Sequence, residues 1–96
     1  LNDSSALGAL SAIKASGRTP GVDVGVVTGG EDQRILEAVL AGEVHSTIGL
    51  FPVAQGRIIA EAILRYSAGE EIEREQIVPV ELVTSANAQQ ILDTIP

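Results

Sequence analysis

A chain of 96 residues holds one small domain at most, and a domain of that size buries only a modest share of its unfolded surface. Hydrophobic residues make up 45% at a mean hydropathy of +0.26, with aromatics at 2%, which argues for packed regular elements and against disorder. Lys and Arg number 6 against 13 Asp and Glu, a net charge of −7 that excludes a basic stripe for nucleic acid, and the lack of cysteine excludes disulfides, thiolate zinc sites and thiol catalysis.

Asp3 is placed to cap a helix running through Ser16, because Leu7, Leu10 and Ile13, with Ala6 and Ala9, recur at helical spacing and Gly17 can take the left-handed position after it. Pro20 and Gly21 break that pattern. The run 22–27, Val-Asp-Val-Gly-Val-Val, has the composition of a strand buried on both faces, ended by Thr28, Gly29 and Gly30. A second helix is expected from Glu31 or Asp32 to Ala41, with Ile35, Leu36, Val39 and Leu40 along one side and Gly42 as its stop. Residues 44–50 read as the next strand.

Pro52 suits the first turn of a third helix, whose apolar face is Val53, Ile59, Ala62, Ile63 and Tyr66 and which ends by Gly69. Glu70, Glu71, Glu73 and Glu75 mark a solvated connection. The run 77–83 has strand composition, and Pro79, which lacks a ladder donor, assigns it to an edge or a crossing. Ser85 is placed to cap a last short helix through Ile91 and Leu92. Helix and strand alternate throughout, the pattern of a parallel α/β sheet with crossovers. Three strands are too few to support such a sheet alone, so the chain reads as half of a larger body. It starts at Leu1 without a basic-then-apolar leader and has no apolar run near the ~20 residues that span a bilayer, as expected of a cut or processed chain.

Catalytic and phosphate-binding patterns are weak. Gly29-Gly30 fits neither dinucleotide nor P-loop spacing, and Glu31 and Asp32 would repel an anion there. His45, the only histidine, lies in a predicted strand beside Ser46, and neighbouring strand residues point to opposite faces, which separates the two. No metal or cofactor is called for. Asn2 differs: it precedes a helix at what is expected to be the carboxyl end of a strand, where open α/β sheets bind ligands, and its amide offers both donor and acceptor to a hydroxyl. Sharing the helix cap with Asp3 explains it equally well.

Asn2-Asp3-Ser4-Ser5-Ala6-Leu7-Gly8-Ala9-Leu10, Val24-Gly25-Val26-Val27, and Ala41-Gly42-Glu43-Val44 leading to Ser46-Thr47-Ile48, Pro52 and Gly56 together resemble the C-terminal portion of ribose-type solute-binding proteins. Residues 80–84 also resemble the family's closing Val-x-Leu-Val-Thr strand. The resemblance implies a C-terminal fragment of a two-lobed periplasmic-binding-protein-like α/β fold with parallel Rossmann-like sheets, which binds a sugar or similar small polar molecule and hands it to an ABC importer permease without catalysis. It implies that 1–50 belongs to the C-terminal lobe and ends in a hinge crossing, that 51–76 belongs to the other lobe, and that 77–96 holds the return crossing and terminal helix. Gly49 and Gly69 are the hinge glycines on this reading.

Carried over position by position, Asn2 matches a family ligand contact, Gly30 stands where the family has an Asp, and Leu50 where it often has a Gln. The ligand is therefore expected to be less hydroxyl-rich than ribose or gripped mainly by the other lobe. The implied partners are that missing N-terminal part or a second copy of this chain, and the implied location is periplasmic or extracellular, through a lipoprotein anchor if the cell is Gram-positive. The effector-binding domains of LacI-type repressors share the fold and the Asn-Asp helix start, and are the alternative.

Overall fold

The first helix is opened by Asn2 rather than by Asp3. In the computed structural model, which describes residues 2–95, α1 spans Asp3–Ala15. Asn2 has extended backbone and its Oδ1 accepts the Ser5 N–H at 2.9 Å. A cap must reach the amide two or three residues on, and Asn2 to Ser5 is that span. Asp3 then falls in the first turn, where a carboxylate complements the positive helix end. Ala6 and Leu10 are buried, and Gly17, at φ 81°, follows the helix in the left-handed region as expected.

The strand expected at 22–27 forms only at its far end, as β1, Val27–Gly29. Residues 19–23 instead make a turn, closed by the Val22 and Asp23 N–H groups donating to the Thr19 carbonyl at 3.1 and 2.9 Å. Val22 is 81% exposed and Val27 70%, so the run is not buried on both faces. Thr28 and Gly29, expected to end the strand, are part of it. An apolar run shows which surface suits burial; it does not supply the cover.

Asp32 caps α2, Gln33–Leu40, by accepting the Arg34 N–H at 2.9 Å, and Ile35, Leu36, Ala38 and Val39 are buried. Leu40, expected on the same side, is 37% exposed. β2, Ser46–Gly49, runs parallel to β1 with Thr28 opposite Thr47. α3 is Pro52–Ser67 with Pro52 in its first turn, and Gly69 follows in the left-handed region. β3, Glu81–Val83, pairs antiparallel with β2, Thr47 opposite Val83. The sheet is therefore mixed, in the order β1-β2-β3, and not purely parallel. A parallel return needs its crossover helix packed on the sheet. α3 buries no residue, so it makes no such crossover.

α4 is Ala88–Leu92, with Asn87 and not Ser85 at its N-cap. The Asn87 side chain serves the preceding turn instead, accepting the Thr84 N–H at 2.9 Å and donating to the Leu82 carbonyl at 3.0 Å. The core lies between the helices and the sheet and centres on Leu10, Leu36, Val39, Val44, Val83 and Ala88. α3 stands apart and forms, with Ile72 and Val78, a second apolar cleft of about 550 Å³. The extents of 59 × 24 × 19 Å reflect that separation. Among the described residues no helix is long and apolar enough to cross a membrane.

Candidate ligand cleft

The carboxyl ends of β1 and β2 and the N-terminus of α1 meet at one edge of the molecule. Asn2, Gly30 and Leu50 are all brought to it. The Thr28 hydroxyl donates to the Asn2 carbonyl at 3.2 Å, tying the start of α1 to β1. The Gly30 N–H donates to the Ile48 carbonyl at 2.8 Å, and the Thr47 hydroxyl donates to the Gly30 carbonyl at 2.6 Å. Gly30 and Leu50 line an open cleft of about 820 Å³ with Asp3, Phe51, Gln55 and Ile95. Asn2 lies beside it through Asp3. Its Oδ1 is engaged as the cap, while its Nδ2 donates to none of the described residues.

Gly30 is glycine for a structural reason. Its φ is 120°, and a Cβ there would overlap the Asp3 carboxylate. Asp3 accepts the Asp32 N–H at 3.4 Å, and desolvation, reinforced by the charges of Asp32 and Glu31, raises its pKa above the ordinary carboxylate value. Asp32 is shifted the other way, because the Arg34 side chain and amide both hydrogen-bond its carboxylate.

Three residues of this edge escape sequence reasoning. The Glu31 carboxylate accepts the Leu50 N–H at 2.8 Å and the Phe51 N–H at 2.9 Å. Phe51 itself sits in the left-handed region at φ 48°, the one non-glycine among the described residues to do so. Gln55 donates to the Leu50 carbonyl from the first turns of α3. No local pattern links residue 31 to residues 50 and 51; only the parallel pairing of β1 and β2 brings them together.

His45 and Ser46 are not separated as expected. His45 precedes β2 and is not part of it, so strand alternation does not apply, and its Nδ1 lies 3.1 Å from Ser46 Oγ. The pair is exposed, far along β2 from the cleft, and among the described residues no carboxylate bonds the ring to orient it. No group of three or more metal-ligating side chains is found among the described residues.

A parallel strand pair whose following loops and adjoining helix start converge on one cleft has the arrangement in which open α/β sheets bind ligands, and the chain is a fragment of a periplasmic-binding-protein-like fold. No family model matches the chain. A Rhizobium meliloti protein named for rhizopine binding is 43% identical over 88 residues, covering 90% of this chain and 28% of that protein. A Mycobacterium smegmatis protein solved with β-D-fucofuranose is 27% identical at a TM-score of 0.85 and covers 97% of this chain and 30% of its own. The periplasmic component of an arabinose ABC transporter from Shewanella sp. ANA-3, bound to α- and β-L-arabinofuranose, is 30% identical at a TM-score of 0.80, over 96% of this chain and 30% of its own. The chain is thus similar to the C-terminal part of sugar-binding proteins of ABC importers and spans under a third of their length.

Proposed function

We propose that the chain is the C-terminal part of a periplasmic or cell-surface solute-binding protein that captures a sugar or similar small polar molecule and presents it to an ABC importer, with no catalytic step. The observation that carries this is the agreement of nearly the whole chain, at a TM-score of 0.85, with a structure that holds a furanose. Nothing favours a LacI-type regulator. In a Gram-positive cell the location implies a lipoprotein anchor.

On this reading residues 1–50 belong to the C-terminal lobe, 51–76 to the other lobe, and 77–96 to the return. The antiparallel pairing of β2 with β3 supports it, since a chain that leaves a lobe and comes back beside itself must reverse direction. The exposed apolar side of α3 is then the surface that the N-terminal part covers. Asn2 Nδ2 donates to a ligand hydroxyl, while Gly30 and Leu50 contribute shape and no side-chain hydrogen bond. The ligand is consequently less hydroxyl-rich than ribose in its contacts with this lobe, or is held mainly by the other.

The test is calorimetric titration of the intact protein with L-arabinose, D-galactose and D-ribose, for wild type and for Asn2→Asp. The substitution keeps the oxygen that caps α1 and removes the donor, so sugar affinity falls about tenfold at unchanged stability. Failure of all three sugars to bind refutes capture of an arabinose-, galactose- or ribose-like ligand. Tight ribose binding that is abolished by changing Leu50 refutes the limited role given to that position, whereas any side chain at Gly30 would also displace Asp3.

A further inference from the structure

We infer that Glu31 is a positioning residue that sets the path of the chain from β2 into α3, and with it the wall of the cleft. The inference rests on the ligand-cleft reading and adds to it a lining residue whose carboxylate is engaged by backbone amides. α3 starts badly by local rules: its N-cap is Phe51, which has no side-chain cap bond, and Pro52, Val53 and Ala54 follow with no carboxylate or amide to reach back. Phe51 also holds a left-handed backbone that bulky side chains avoid. Something outside the helix must hold this junction.

Glu31 fits that need. Its two carboxylate oxygens accept separate amides, Leu50 at 2.8 Å and Phe51 at 2.9 Å, and a charge-assisted pair of this kind fixes direction as well as distance. The negative charge lies at the amino end of α3, where it complements the helix dipole. Neither amide has a backbone acceptor among the described residues. Gln55 holds the Leu50 carbonyl from the other side, and the Phe51 ring covers Gly49, where a Cβ would stand 2.8 Å from the ring. The loop after β1 and the loop after β2, which together line the cleft, are joined by this one side chain.

The experiment is hydrogen–deuterium exchange of the intact protein, wild type against Glu31→Gln, resolved at Leu50 and Phe51 and at Leu36 and Val39 of α2. A neutral amide presents one acceptor and turns an NH₂ toward the other N–H. Exchange at Leu50 and Phe51 is expected to accelerate about tenfold or more, with Leu36 and Val39 unchanged. Equal exchange in both proteins, or the same acceleration in α2, overturns the inference, the latter because it marks a general loss of stability. If the variant does not fold, wild type decides: protection of both amides supports the inference, and exchange at the free-chain rate overturns it. No ligand enters the measurement, so its outcome is separate from that of the sugar titrations.

Discussion

Thr47 is the buried polar residue at the centre of the sheet, and its hydroxyl is the donor that the Gly30 carbonyl meets as the chain turns away from β1. Thr47→Val keeps the shape and removes the donor, leaving a buried carbonyl short of a partner. A loss of about 1–3 kcal/mol is expected, measured as a lower urea midpoint of the assembled protein, and an unchanged midpoint would count against the bond. Asp3 and Asp32 give opposite pH contributions. The fold raises the Asp3 pKa, so its ionised form works against stability at neutral pH, and that penalty lifts as pH falls through its titration. The fold lowers the Asp32 pKa, so its contribution is present above the ordinary carboxylate value and fades as pH drops toward the lowered one. Asp3→Asn is therefore expected to raise the midpoint at pH 7, with the gain vanishing once Asp3 is protonated in the wild type. A variant less stable than wild type at pH 7 refutes this assignment.

The helices were legible; the strands expected at 44–50 and 77–83 form over the shorter Ser46–Gly49 and Glu81–Val83, and only the one expected at 22–27 is largely displaced. Each helix carries its signal in contiguous spacing: Leu7 to Leu10, Ile35 to Val39, and Pro52 to Gly69 are close in sequence and lie on one element. A strand is defined by its neighbours, so 22–27 had the right composition and still formed a strand only at its end, and nothing local announced that 81–83 runs antiparallel to β2. The cleft was half legible for the same reason. Asn2, Gly30 and Leu50 follow from chain order and resemblance, whereas the reach of Glu31 to Leu50 and Phe51 exists only once β1 and β2 have paired. The elements that flank Gly49 and Gly69 also carry a prediction. If 44–50 and 77–83 are the crossings between lobes, their backbone angles change together when the intact protein closes on ligand. Crystal forms with and without ligand measure this, and matching angles in both would sink the idea.

For the whole molecule, much apolar surface lies uncovered: Ile59, Ile63, Leu64 and Tyr66 on α3, and Ile77, Val80 and Leu82 on the return. Burying one such side chain contributes roughly 1.5–3 kcal/mol, against a net stability of about 5–15 kcal/mol for a domain. The outer edge of β1 also leaves backbone groups without a ladder. The chain on its own is expected to pair with a complementary part or with a second copy. Light scattering and thermal melting over a concentration series test this, and a sharp, concentration-independent melt at monomer mass would contradict it. The position of the last core residues has a consequence for biosynthesis. Val83 and Ala88, both fully buried, come after α3 in the sequence and cover Leu36, Val39 and Val44. A ribosome delivers those three first and their lid only after the whole of α3 and its connection, a delay of seconds at ordinary elongation rates. Through that interval Leu36, Val39 and Val44 lack the cover that Val83 and Ala88 provide, and a chain stopped before residue 83 never gains it.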